Sequence, residues 1–358
     1  MILEDIAKKF GIDGELNDKE HITIGHINQT YRVRFGKTDY IMQRMNKFVF
    51  KNPPKLMENI INVTKFLKNK LESNGKSSDR YVLNFIKALD GNYYVMDDEG
   101  EYWRAYYYIN DSVTYNAIDS LEIMEGAGEA FGEFQNQLSD FDASILSETI
   151  PNFHNTINRY KLLKEAKEKD SFNRYESVKD VYDEYLKLEP IACKMTEMLN
   201  KGELPLRVTH NDTKCNNVLF DIKTNKPLAV IDLDTVMPGL IGFDFGDSIR
   251  TGGASSREDE SDLSKIYVVL DKFEAFARGF LKKTKGSLTK NEIDTMALGA
   301  ITMTTECGAR FLTDYLEGDV YFHSSYEKQN LVRAKCQLKL AQDMLSKLDK
   351  MEEIIKSI

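Results

Sequence analysis

The sequence contains no run of about 20 apolar residues, the length an α-helix needs to cross a bilayer. Its opening stretch, MILEDIAKKF, has no basic segment leading into an apolar one, so no secretory signal is read and a cytoplasmic protein is expected. The 4 cysteines, Cys193, Cys215, Cys307 and Cys336, are widely spaced. With no CxxC pair they form neither a disulfide frame nor a zinc site, and read as reduced thiols. A formal net charge of −9 gives no general attraction for nucleic acid or anionic lipid, and nothing points to a protein partner. There is no GxGxxG after a strand, no GxSxG, no HExxH, no internal repeat and no low-complexity linker. Residues 74–77, NGKS, end like a Walker phosphate loop, but Lys70 stands where that loop needs glycine.

What is present is ordinary globular composition, 42% hydrophobic and 29% charged, in 358 residues. That length predicts two domains. The first hundred residues read as strand-rich: β-type runs at 21–26, 29–35, 40–45, 81–85, 92–96 and 102–109, with helical spacing over Leu56–Leu71 after Pro53 and Pro54. Beyond Asn110 helical patterns dominate, at 121–138, 159–199 and from about Asp259 onward. Only two short β-type runs, Val218–Phe220 and Leu228–Ile231, interrupt them. The expected architecture is α+β: an N-terminal lobe over 1–109 with an antiparallel sheet and one helix, then a larger, mostly helical lobe over 110–358.

Chemistry concentrates in residues 207–234. His210, Asp212 and Asn217 form the pattern H-x-D-x4-N, followed by Ile231 and Asp232 after the next apolar run. If the two β-runs pair as a hairpin, Asn217 enters it and Asp232 leaves it on the same edge. An amide oxygen and a carboxylate could then share one Mg²⁺, a hard cation that completes its shell with water and phosphate oxygens. Asp212, on the loop leading in, could take the proton of a hydroxyl attacking a γ-phosphate. Singly, each residue is an ordinary turn former; it is the ordered set that points to a kinase using ATP and Mg²⁺.

This set resembles the aminoglycoside phosphotransferase and choline kinase superfamily, and within it the N-acetylhexosamine 1-kinases. The likeness is carried by residues 25–31 (GHINQTY), 131–135 (FGEFQ), 207–217, 231–239 (IDLDTVMPG), 243–250 (FDFGDSIR) and 306–321 (ECGARFLTDYLEGDVY). The resemblance implies a bilobal, protein-kinase-like fold and transfer of a phosphoryl group from ATP to the anomeric hydroxyl of GlcNAc or GalNAc. Asp212 would be the base, and Asn217 and Asp232 the metal ligands. Asp234 would be a second acidic position near metal and acceptor, and His26, Arg310 and Tyr321 would hold the sugar. Bland readings stand beside these: Arg310 and Asp314 as an i,i+4 surface pair, and Tyr321 as core.

Two departures concern the nucleotide. Position 25 offers one glycine where kinases carry a glycine-rich loop, and the third strand offers Gln43 or Arg44 in place of a lysine. Strand alternation lets only one of the pair face the phosphates; Glu58 would partner Arg44 if Arg44 did. The aromatic run ending at Tyr107 and Tyr108 reads as a hinge strand receiving adenine through its backbone. Two other readings stay open. One is a kinase of the same superfamily acting on another alcohol, such as an amino alcohol, homoserine, methylthioribose or an aminoglycoside. The other is an inactive nucleotide- or sugar-binding module.

Overall fold

A computed structural model describes residues 2–23 and 27–358. The chain divides into two compact units. The first comprises Met1–Thr114, Asp140–Pro151 and Leu219–Pro238, and the second Tyr115–Ser139, Asn152–Val218 and Gly239–Ile358.

The first unit opens with a short amphipathic helix, α1 (Ile2–Lys9), that has no counterpart among the sequence expectations. Strands β1 (Leu16–Ile22), β2 (Gln29–Phe35) and β3 (Thr38–Arg44) follow, then helix α2 (Pro53–Ser73) and strands β4 (Val95–Met96) and β5 (Tyr102–Tyr107). They form one antiparallel sheet in the order β1-β2-β3-β5-β4. The expected strand at 81–85 is not one; only Phe85 makes an isolated bridge, to Tyr106. Alternation sorts the sheet's side chains. Val33, Met42, Trp103 and Ala105 pack with Leu3 and Ile6 of α1 and with Phe10 just after it in one apolar core. The opposite face carries Thr30, Gln43 and Arg104, consecutive across three strands.

Helix α2 starts where Asn52 caps the Lys55 N–H and Pro53 and Pro54 fill positions that have no intrahelical donor to lose. Its Asn59 is buried and bonds the Ser147 and Val236 carbonyls at 2.7 and 3.0 Å, while accepting from Ser147 N–H at 2.9 Å. One side chain thereby ties 140–151 and 219–238 to the first unit. The expected hairpin forms from Val218–Asp221 and Pro227–Val230, with β6 (Ser112–Val113) beside it. Its turn is closed by Asp221, which accepts from the N–H groups of Lys223 and Thr224.

The second unit is helical, which bears out the α+β expectation. It contains α3 (Leu121–Gln137), α4 (Thr156–Lys169), α5 (Lys179–Ala192), α6 (Lys194–Asn200), α7 (Ile241–Gly252), α8 (Leu270–Thr284), α9 (Lys290–Asp294), α10 (Met296–Leu316), α11 (Gln329–Ser346) and α12 (Leu348–Ser357). Helix α10 is buried along nearly its whole length, which is where an all-round apolar helix belongs. Backbones touch where α7 crosses it: a Cβ on Gly299 would lie 2.2 Å from the Gly242 carbonyl oxygen, and one on Gly246 2.2 Å from that of Gly299.

Candidate active site

In the second unit, residues 210–217 are held rigidly. A short strand, Arg207–Thr209, leads into the fully buried His210, whose ring meets Phe131 and Phe134 of α3 edge-on at 5.7 and 6.1 Å. Asp244 of α7, with no exposed surface, accepts from the N–H groups of His210 and Asn211 at 2.8 and 2.7 Å and from Gln135 Nε2 at 2.6 Å. Burial pushes the Asp244 carboxyl above the usual carboxylate range, and the His210 charge and those donors only partly offset it. Asn211 sits in the left-handed region at φ 64°, a conformation asparagine tolerates better than most residues. That turn lifts Asp212 partly into solvent, its side chain 22% exposed and Oδ2 3.2 Å from Lys214 Nζ. Asn217 is buried and turns its Nδ2 to the Asp212 carbonyl at 2.8 Å. Its Oδ1 accepts no hydrogen bond among the described residues, leaving a hard oxygen donor open.

Next to this loop lies a second arrangement in the same unit. His154 Nε2 is 3.0 Å from the Asn211 carbonyl and His154 Nδ1 2.8 Å from Glu306 Oε1. Thr156 Oγ1 donates to Glu306 Oε2 at 2.6 Å. One turn along α10 from Glu306, the Arg310 guanidinium stands 5.3 Å from the Phe153 and Phe322 rings and 5.8 Å from Tyr321. Arg159 hydrogen-bonds the Phe153 carbonyl at 2.7 Å through Nη2, and burial together with the Arg310 charge holds it below the usual guanidinium range. Arg310 does not form the i,i+4 pair with Asp314. That carboxylate is buried and accepts from the N–H groups of Val320, Tyr321 and Phe322 at 3.0, 2.7 and 3.0 Å. It fixes the backbone that presents Tyr321, which is 55% exposed rather than core.

In the first unit, Asp232 adopts φ 59° as the chain leaves the hairpin. Asp234 is buried, with Arg104 Nη1 on one carboxylate oxygen and Asn28 Nδ2 on the other at 2.5 Å. Asp234, expected as an acidic position near metal and acceptor, is the counter-ion of a buried arginine. Burial alone would lower the Arg104 guanidinium, and the Asp234 charge outweighs it, leaving it raised. Gln43 lies in the same network, its Oε1 accepting from Arg104 Nε and its Nε2 donating to Thr30 Oγ1, both at 2.9 Å.

Gln43 therefore shares a sheet face with Asp234, while Arg44, opposite Trp103, is on the other and acts on Asp97. Glu58 is exposed on α2, because Asn59 is the residue of that turn that points inward. The buried cation of this face is Arg104, which sequence reasoning passed over inside an aromatic run; the Gln43–Arg104 register reveals it. At Tyr107 and Tyr108, where the backbone is expected to receive adenine, the N–H groups donate to the Asn84 and Asp39 carbonyls at 3.1 Å each. His26 lies outside the described residues.

Among the described residues no cluster of three or more His, Cys, Asp or Glu could cage a metal. A Mg²⁺ that relies on one amide oxygen, one carboxylate, water and phosphate needs no such cage. The Asn217 Oδ1 and the Asp232 carboxylate are each oxygen donors of the kind such an ion takes. No helix among the described residues is long and apolar enough to cross a membrane.

A family model described as a phosphotransferase enzyme family matches residues 20–263. Solved structures share the fold over almost the whole chain. A microcompartment-associated aminopropanol kinase is 15% identical with a TM-score of 0.62, over 97% of this chain and 98% of that one. An aminoglycoside phosphotransferase from Alicyclobacillus acidocaldarius is 10% identical with a TM-score of 0.63, over 99% and 96%. A spectinomycin phosphotransferase, solved with ADP and spectinomycin, is 12% identical with a TM-score of 0.56, over 96% and 97%.

Proposed function

This chain belongs to the phosphotransferase enzyme family, and we propose that within it the chain is an ATP- and Mg²⁺-dependent kinase of N-acetylhexosamines. The anomeric hydroxyl of GlcNAc or GalNAc attacks the γ-phosphorus of ATP, the bond to the ADP oxygen breaks, and the hydroxyl proton passes to the Asp212 carboxylate. The products are the sugar 1-phosphate and ADP. Asn217 Oδ1 and Asp232 would hold the metal, which supplies neutralisation of the phosphoryl charge.

The observation that carries the acceptor is Arg310. It has no ion pair or hydrogen bond among the described residues, only aromatic rings around it and the like charge of Arg159 beside it. Glu306, the nearby carboxylate, is already engaged by His154 and Thr156. A cationic acceptor would add a third positive charge to this surface. Sugar hydroxyls and an acetamido carbonyl instead offer acceptors to the guanidinium and an apolar ring face to Phe153 and Tyr321. The narrowing to N-acetylhexosamines rests on the sequence resemblance over residues 25–31 and 306–321.

A second reading, phosphorylation of another small alcohol, is supported by relatives whose names specify aminopropanol and spectinomycin. A panel of GlcNAc, GalNAc, choline, aminopropanol, homoserine, methylthioribose and an aminoglycoside, read by acceptor-dependent ADP release, separates the two. The expected result is turnover with the N-acetylhexosamines and a product whose phosphate sits on C1, labile to mild acid. Turnover confined to the amines would overturn the sugar reading.

A further inference from the structure

We propose that His154 is a positioning residue that clamps the peptide bond preceding Asp212 and so sets the direction of its carboxylate; its catalytic consequence rests on the kinase reading above. The Asn211–Asp212 peptide is gripped at both ends. Its carbonyl faces His154 Nε2 at 3.0 Å, and its N–H donates to His210 Nδ1 at 3.3 Å. A carbonyl only accepts, so His154 Nε2 is the donor. Its Nδ1 faces Glu306 Oε1 at 2.8 Å, and Thr156 fills the other oxygen. Burial would raise the Glu306 carboxyl, but the His154 contact outweighs it and the group is held below the usual range.

The arrangement is rigid for reasons visible around it. His154 and Glu306 side chains are 7% and 1% exposed, and the imidazole is flanked by the Phe153 and Phe243 rings at 4.4 and 5.5 Å. The other charges acting on the pair are Asp247 from α7 and Arg159 from α4. Asn211 in its left-handed turn costs roughly 1 kcal/mol or more, so its carbonyl direction needs a fixed partner to persist. The same two segments carry the acceptor side: Phe153 precedes His154, and Arg310 follows Glu306 by one turn of α10. Contact with a ligand there bears on the elements that aim the base.

The test compares His154→Leu with His154→Gln, whose amide can still donate to the Asn211 carbonyl. Hydrogen exchange over residues 208–214 should rise in the leucine variant and stay near wild type in the glutamine variant. With the acceptor that the wild type turns over, kcat should fall about 100-fold in the leucine variant with the KM for ATP nearly unchanged, and be largely rescued by glutamine. Unchanged exchange in His154→Leu, or equal losses in both variants with a matching rise in KM for ATP, would overturn the clamp. Should His154→Leu not fold, Glu306→Gln carries the same test: exchange rises and kcat falls, or the proposal fails. Absence of wild-type turnover with every acceptor overturns the kinase reading instead, and the exchange data still decide the clamp.

Discussion

Arg104 has lost most of its contact with solvent, and its main charge partner is Asp234. Two groups that each cost several kcal/mol to dehydrate are held together by Gln43, Asn28 and a fixed strand register. Breaking such a pair from one side strands the other charge. Arg104→Met is therefore expected to lower unfolding free energy by about 3–5 kcal/mol. The double variant Arg104→Met with Asp234→Leu should lose markedly less, because it leaves no orphan charge. Equilibrium urea denaturation of the three proteins decides it; additive losses in the double variant would contradict an ion pair. The pair also shows what kind of residue a sequence hides. Asp212, Asn217 and Asp232 stand in a fixed order along the chain, and chemistry gives that order a meaning. Arg104 and Asp234 are 130 residues apart, and nothing local to either marks the partnership.

At the scale of elements, hydrophobic period and capping signals were strong enough to read. Asn52 with Pro53 announces the start of α2, and the strand at 29–35 lies where its alternation predicts. Residues 81–85 look like a strand for the same reason but are not one, because apolar content alone cannot supply a ladder partner. The proposed acceptor side was half legible: Arg310 and Tyr321 come together, while the contacts of Arg159, His154 and Glu306 are tertiary. The crossing of α7 over α10 was not legible, since its glycines look like mid-helix weakness rather than contact points. Gly299→Ala should cost roughly 1–3 kcal/mol, because its methyl would meet the Gly242 carbonyl and neither helix can back away cheaply. Gly286→Ala, which meets nothing within 4 Å, is the control. Equal denaturation midpoints for the two variants would remove the close-packing account.

For the whole molecule, the proposed reaction assigns roles to three side chains spread along the sequence, Asp212, Asn217 and Asp232. If Asp232 is a metal ligand, Asp232→Ala should shift the Mg²⁺ concentration for half-maximal turnover upward by about tenfold or more, much as loss of a supporting metal contact does elsewhere. A Mg²⁺ titration identical to wild type would remove Asp232 from that role. The proposed reaction turns on Asp212 receiving the acceptor's proton. The most direct measurement is kcat for N-acetylhexosamine phosphorylation by Asp212→Asn, alongside calorimetric ATP binding to the same protein. A general base is worth about 10²–10⁴-fold, so turnover should fall by that much while ATP affinity stays near wild type. Near wild-type turnover by Asp212→Asn would contradict the account.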